Sequence, residues 1–239
     1  EALWAPIHLW EPHAFYLADT QEVMLRGLYY GIVFIMALYN LFVFLSIRER
    51  SYLLYSCFVT FLMLYQAAEY GFAYQYLWPE SPWWSEKSLN MFTSGSVLLA
   101  LLFTISFLDL KGRPELTYRL CHWLRWVGVA IMSTSPFMPT RFNAIAVLVY
   151  VVIALPAMFI VGFKRVVEGS VEARYFLASW VFILVGNFTY VFTLLNYLPT
   201  NFLTVNAPQV GSGLEVILLS LGLGRKLKVL HDENLRIQT

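Results

Sequence analysis

The stretch that decides the fold is GSGLEVILLSLGLGRKLKVLHDENLRIQT, residues 211–239. Its first half reads as an apolar helix that carries one carboxylate, Glu215, and its second half becomes charged at Arg225 and Lys226. The helical phase continues across this change, with seam positions spaced 4, 3, 4 and 3, as in a coiled coil. These positions are Leu223, Leu227, Leu230, Asn234 and Ile237. We therefore predict one helix that crosses a membrane and continues beyond it as a short coiled-coil signalling helix.

The charged half has two interpretations. In a coiled coil, Leu227 and Asn234 occupy a positions, and a lone Asn at an a position favours one register of a parallel dimer. The alternative is an amphipathic helix on the membrane surface, which Lys226 and Lys228 would assist. The spacing favours a homodimer.

Composition indicates that most of the chain is surrounded by lipid. Of its 239 residues, 59% are hydrophobic and 13% are charged, against about 25% charged in an average soluble domain. The net charge of +1 gives no case for a nucleic-acid partner. The two cysteines, Cys57 and Cys121, lie in apolar stretches and are expected to be small buried residues.

The hydropathy pattern predicts an all-α bundle of seven transmembrane helices. The predicted spans are 28–47, 52–68, 89–108, 120–138, 142–163, 175–197 and 209–224. The fourth span is the least regular because it contains His122 and Arg125. The loop 71–88 is rich in aromatic residues, and Trp78, Trp83 and Trp84 are expected to anchor it at the membrane surface; a lid over an outward cavity is the alternative.

The basic residues predict the orientation, because cytoplasmic loops carry an excess of Lys and Arg. One side of the predicted membrane holds twelve: Arg48, Arg50, Lys111, Arg113, Arg119, Lys164, Arg165, Arg174, Arg225, Lys226, Lys228 and Arg236. The other side holds three, namely Arg26, Lys87 and Arg141. We predict an N-terminus outside and a C-terminus inside.

Three segments follow from this topology. Residues 1–26, in which prolines and histidines are expected to break any helix, are predicted to join an upstream sensor domain. Residues 27–225 form the membrane domain, and residues 226–239 form the cytoplasmic helix that leads to an output domain. Because the chain starts at Glu1 rather than Met, we expect an export signal farther upstream.

Five polar residues in or beside the spans are candidate site residues: Glu215, Asn187, Asn40, Glu69 and Arg125. Glu215 is either a ligand contact or switch, or a structural group that ties the last span to its neighbours through Asn187, Asn40 or a tyrosine. Both asparagines are expected to form interhelical hydrogen bonds, and ligand contact is the alternative.

The other two candidates lie closer to the membrane surfaces. Arg125 is expected to extend its charge toward the inner surface, with Asp109 as a weaker possible partner. Glu69 is expected at the outer surface, and a role in a site is the alternative.

No recognisable catalytic motif is present. The sequence contains no HExxH, Walker A or GxSxG pattern, and its four histidines are scattered. We therefore predict no metal site, no cofactor and no enzymatic activity in this chain. A small-solute transporter or channel remains the alternative, although such a protein would show more polar residues near the middle of the membrane and an internal repeat.

The sequence LRGLYYGIVFIMALYNLFVFLSIRERSYLLYSCF, residues 25–58, resembles the bacterial seven-transmembrane receptors with diverse intracellular signalling modules. The matching positions are Gly27, Tyr29, Tyr30, Gly31, Tyr39, Asn40, Arg48, Ser51, Tyr52, Leu54 and Tyr55. GFAYQYLWP at 71–79, FLDL at 107–110 and LLSLGLGRKL at 218–227 also fit.

This resemblance implies a receptor of the bacterial inner membrane. Such proteins usually carry an extracytoplasmic sensor domain before the first span and a histidine kinase, diguanylate cyclase or similar output domain after the seventh. The resemblance implies no catalytic residue in the membrane domain. The predicted function is relay of an extracytoplasmic stimulus through the last helix.

Overall fold

The computed structural model describes residues 11–110 and 116–238, and in these ranges the chain is helical with no strand. The helices are α1 Pro12–Ile47, α2 Arg50–Glu69, α3 Pro82–Phe107, α4 Leu116–Thr134, α5 Thr140–Val167, α6 Val171–Leu194, α7 Phe202–Val205 and α8 Ala207–Gln238. A π-helical turn, Ala73–Leu77, lies between α2 and α3. The prediction of an all-α fold is confirmed.

Six of these helices are long and apolar enough to cross a membrane, so the chain is a multi-pass membrane protein. They are α1 (from Thr20), α2, α3, α5, α6 and α8 (to Leu227). Helix α4 occupies most of the predicted fourth span but falls outside this set. Its mean hydropathy is lowered by Arg119, His122 and Arg125. The seventh crossing therefore stays a prediction.

Contacts at the helix ends show how α3, α4 and α5 run. At their beginnings, α3 and α5 meet where Lys87 Nζ donates to Thr140 Oγ1 at 3.0 Å. At their far ends, Arg165 Nε donates to the carbonyl oxygen of Leu108 at 3.1 Å. Helices α3 and α5 are therefore parallel. Helix α4 connects the far end of α3 to the beginning of α5, and its first turn bonds the end of α5 through Tyr118 and Glu168.

Two segments predicted to be irregular are helical. Residues 12–26 belong to α1, so the prediction that prolines and histidines break the helix there is wrong: Pro12 occupies the first turn, where a missing N–H costs no hydrogen bond. Likewise, the second half of the predicted loop 71–88 is the start of α3, with Pro82 in its first turn. Residues 1–10 lie outside the described part of the chain.

Helix α8 is the centre of one half of the bundle, with α6 on one side and α1 and α2 on the other. Helices α6 and α8 pack closely because a glycine on each helix contacts the backbone of the other. A Cβ at Gly211 would stand 2.5 Å from the carbonyl oxygen of Phe182, and one at Gly186 would overlap the carbonyl oxygen of Ala207. The α8 backbone continues as one helix to Gln238, which confirms the predicted continuity from the span into the charged segment.

Candidate functional site: a polar seam along the last helix

Four polar residues of α8 lie on the side of this helix that faces α1, α2 and α3. Ser212, Glu215, Ser220 and Lys226 lie along this face, three to six residues apart, and turn toward α1, α2 and α3. We call the contacts that Ser212, Glu215 and Ser220 share with α1 and α2 the polar seam. Apolar residues of α8, including Val216 and Leu219, fill the spaces between them.

Ser212 joins three helices at one end of the seam. Its hydroxyl donates to the carbonyl oxygen of Gln209 at 3.0 Å. It therefore accepts from the Tyr29 hydroxyl of α1 at 2.8 Å, and it also accepts from Gln66 Nε2 of α2 at 2.9 Å. Ser212 and Gln66 are buried. Because lipid offers no hydrogen-bond partner, these bonds satisfy polar groups that would otherwise be unpaired.

Asn40 ties α1 to α8 farther along. Its Nδ2 donates to the carbonyl oxygen of Met36 at 2.8 Å and to Ser220 Oγ at 3.2 Å. Its Oδ1 is buried and has no hydrogen-bond partner among the described residues. Asn40 is fully buried, and its bond to Ser220 is the interhelical contact that the sequence predicts for it.

Two tyrosines of α2 bond the backbone of α8. The Tyr52 hydroxyl donates to the carbonyl oxygen of Leu223 at 2.8 Å, and the Tyr55 hydroxyl donates to that of Val216. Each carbonyl has two lone pairs, so it can take this bond in addition to its helical one. The sequence interpretation missed these contacts. Their three-residue spacing within an apolar span was the available signal.

Glu215 lies inside the seam and is 1% exposed. Its Oε2 is buried without a hydrogen-bond partner among the described residues. Tyr29 and Tyr55 are close enough to interact with it electrostatically, and their hydroxyls are already bonded to α8. Glu215 therefore lies near two tyrosines whose hydroxyls are bonded elsewhere, with its Oε2 unpaired among the described residues, and a change in its charge or partner would act directly on α8.

Lys226 ends this face of α8 at the opposite end of the bundle. Its Nζ lies 3.1 Å from Ser51 Oγ and 3.2 Å from Glu49 Oε1. Burial favours the neutral form of Glu49, but the Ser51 backbone N–H and the Lys226 ammonium outweigh this effect and lower the pKa of Glu49 below its ordinary value. Glu49 and Lys226 therefore form a charged pair at neutral pH.

The remaining predicted site residues lie away from the seam. Asn187 is exposed on α6, where it donates to the carbonyl oxygen of Ile183 in its own helix at 2.8 Å. Glu69 is exposed at the end of α2. Arg125 packs over the ring of Trp126 at 5.2 Å, and no ion pair joins it to Asp109 in the described structure. The fold places Glu215 and Asn40 at the interface of α8 with its neighbouring helices. It does not place Asn187, Glu69 or Arg125 there.

The predicted coiled-coil positions divide into two sets. Leu223 is fully buried in the bundle core, and Leu227 is partly buried against the same core. Leu230, Asn234 and Ile237 lie where the structure describes the helical backbone but not the side chains. Among the described residues, no group of His, Cys, Asp and Glu could hold a metal ion.

Comparison with protein-family models matches residues 22–226 to the family described as 7TM diverse intracellular signalling. Comparisons with curated proteins and with solved structures found no match. The matched region runs from α1 to the last bundle turn of α8 and contains the whole polar seam. Because this match covers most of the chain, the chain belongs to the 7TM diverse intracellular signalling family.

Proposed function

We propose that this chain is the membrane module of a receptor, and that α8 relays an extracytoplasmic stimulus to a cytoplasmic output domain. One observation carries the proposal: α8 is hydrogen-bonded to α1 and α2 along the bundle, and its helix continues unbroken to Gln238. A helix held on both sides and continued outward transmits a displacement, because its backbone hydrogen bonds resist bending.

The orientation of the relay is supported by the contacts at one end of the bundle. Lys226 bonds the first turn of α2 and the last turn of α3, and Arg165 bonds the residue that follows α3. The basic α1–α2 turn and the basic ends of α5 and α8 thus share one end. We propose that this end is cytoplasmic because it carries the excess of Lys and Arg. The part of α8 after Leu227, which we call the exit helix, begins there.

We further propose that α4 is the seventh crossing. It links the far end of α3 to the beginning of the parallel helix α5, so it returns the chain through the same thickness. Its 19 residues span ~28 Å at 1.5 Å each, close to the ~30 Å hydrocarbon core. The exposed face of α4 carries Trp123, Trp126 and Val127, which suits contact with lipid.

The remaining parts of the proposal come from the resemblance in α1 and α2 and, for the dimer, from the spacing of the last helix. The protein would lie in a bacterial inner membrane as a homodimer, with a sensor domain upstream and a histidine kinase of a two-component system or a diguanylate cyclase downstream. The role of this chain is mechanical rather than catalytic. Since Leu223 and Leu227 pack in the chain's own bundle, the proposed dimer seam consists of Leu230, Asn234 and Ile237.

Insertions in the exit helix of the full-length receptor test the relay. The insertions belong between Lys228 and Val229, beyond Lys226 and Leu227, which contact the bundle. Two added alanines rotate the following helix by ~200°, whereas seven restore its phase to within ~20°. We expect the seven-residue insertion to retain the native basal output. The two-residue insertion should change it by about tenfold, the effect of removing a coupling free energy of ~1.4 kcal/mol between the bundle and the output domain.

The matched control is a two-residue insertion after Glu80, which is exposed between the π-helical turn and α3. It should leave basal output unchanged. If the two-residue and seven-residue insertions in the exit helix give the same output, phase is not transmitted and the relay through α8 is incorrect.

A further inference from the structure

The last bundle turn of α8 is held by one ammonium group that bonds two other helices. Lys226 Nζ lies 3.1 Å from Ser51 Oγ, 3.1 Å from the carbonyl oxygen of Ser106 and 3.2 Å from Glu49 Oε1. An ammonium has three donors, and here each has an acceptor. The Lys226 charge also lies 5.7 Å from the centre of the Phe107 ring.

The acceptors of Lys226 are themselves fixed. Glu49 caps α2: its Oε2 accepts from the Ser51 backbone N–H at 2.8 Å, and its Oε1 accepts from Ser51 Oγ at 3.0 Å. The Ser51 and Ser106 hydroxyls lie 3.0 Å apart, which joins the start of α2 to the end of α3. Lys226 is therefore bonded to a rigid junction and not to a mobile surface side chain.

Lys226 and the neighbouring Leu227 both touch the bundle, just before the charged segment that continues α8 to Gln238. The side chains of Lys226 and Glu49 are 17% and 23% exposed, so water weakens their attraction much less than that of a surface pair. The adjacent cation, Arg225, is exposed.

We propose that Lys226, Glu49, Ser51 and the carbonyl group of Ser106 form a latch that fixes the exit helix, and that its release is the regulated step of signalling. This inference rests on the proposed function, because it requires movement of α8. The latch retains the exit helix while it is closed. When it opens, the last bundle turn of α8 and Leu227 separate from α2 and α3.

Thiol labelling tests the latch without a ligand. A Leu227→Cys reporter is placed in a chain whose Cys57 and Cys121 are replaced by alanine, and inside-out membrane vesicles are treated with a membrane-impermeant maleimide. Adding Lys226→Met, which keeps the alkyl chain and removes the donors, should accelerate labelling about tenfold, the size expected for lost charge-assisted hydrogen bonds. Glu49→Gln, which keeps an acceptor for the α2 cap, should accelerate it less.

Arg225→Met is the matched control, because it removes the same charge one residue away from an exposed position. It should change the labelling rate by less than about twofold. Equal rates in the Lys226→Met and Arg225→Met variants overturn the latch, whatever the output does. If Lys226→Met accelerates labelling and also shifts the basal output of the full-length receptor, the latch and the relay are both supported. If labelling accelerates but output is unchanged, the latch does not regulate signalling, and the insertions after Lys228 decide separately whether α8 is the relay.

Discussion

At the residue scale, the Ser212 hydroxyl accepts hydrogen bonds from both α1 and α2. Replacing it by alanine leaves the Tyr29 hydroxyl and Gln66 Nε2 without their acceptor in a buried site. We expect Ser212→Ala to lower the free energy of unfolding by about 1–2 kcal/mol, since buried unsatisfied donors cost about that much and single interhelical hydrogen bonds in membranes about half. Titration of the purified protein with a denaturing detergent measures this change.

Ser94→Ala is the control for that measurement. Ser94 is as buried as Ser212, but its hydroxyl donates only to the carbonyl oxygen of Met91 in its own helix, at 3.0 Å. Its removal strands no partner on another helix and should cost only a few tenths of a kcal/mol. Equal losses at the two serines would mean that the seam contributes no interhelical stability.

The latch also has a residue-scale pH dependence, which follows from Glu49. Its pKa is lowered from the ordinary value of 4.5. A carboxyl group whose folded pKa is lowered contributes stability that is complete above the ordinary pKa and is lost as the pH falls through the folded one. Labelling of the Leu227→Cys reporter should therefore be constant from neutral pH down to about 4.5 and rise below it, after correction for the thiolate fraction.

Glu49→Gln removes the titrating group and should abolish this rise. An equal rise in the Glu49→Gln variant would assign the pH effect to another group.

Sequence reasoning identified part of the seam and missed the rest for a physical reason. Glu215 and Asn40 are conspicuous because a charge or an amide within an apolar span is costly and must have a cause. Tyr29, Tyr52 and Tyr55 are inconspicuous because their rings suit lipid or a core, and only the packed structure shows where a hydroxyl finds an acceptor. Asn187 lies on the exposed face of α6, and Arg125 lies on α4, which packs on α3 and α5.

At the scale of elements, the contact between α6 and α8 depends on glycine. Gly211→Ala places a methyl group 2.5 Å from the carbonyl oxygen of Phe182, so the helices must separate. We expect a loss of about 1–3 kcal/mol, the usual cost of overpacking, although alanine is the better helix former. Unfolding in denaturing detergent again provides the measurement.

Gly213→Ala is the control on the same helix, two residues away. Its nearest neighbour would be Tyr29 Cε2 at 3.6 Å, an ordinary contact, so stability should stay the same or rise slightly. A destabilisation at Gly213 as large as that at Gly211 would contradict backbone-to-backbone packing of α6 on α8.

The elements themselves were predictable where hydropathy alone decides. Helix α2 and the beginning of α8 match the predicted spans within two residues. The start of α1 did not, because Pro12 in a first helical turn is favourable and the helix then extends outside the apolar stretch. The predicted fourth span exists as α4, but its charged residues leave its hydropathy too low for a crossing to be assigned from composition.

At the scale of the whole molecule, the packed structure shows helix directions that the periodicity of the sequence cannot show. Helix direction follows from pairs such as Lys87 with Thr140 and Arg165 with Leu108, which are distant in sequence. A count of Lys and Arg can propose which loops share a side, but it cannot show that α3 and α5 are parallel. The hydrogen bonds between helix ends give the relative directions of the helices, and the count of Lys and Arg proposes which end of the bundle is cytoplasmic.

That topology gives a prediction for the complete bundle in its membrane. Single cysteines at Glu80 and Phe137, both exposed, precede α3 and α5, whereas one at Gly169 follows α5. Because α3 and α5 are parallel and α4 joins them, an impermeant maleimide should label positions 80 and 137 from outside intact spheroplasts and position 169 only in inside-out vesicles. All three cysteines are placed in the chain without Cys57 and Cys121. Labelling of position 137 only in inside-out vesicles, with position 169 labelled from outside, would mean that α4 does not cross, and it would reverse the proposed direction of α5.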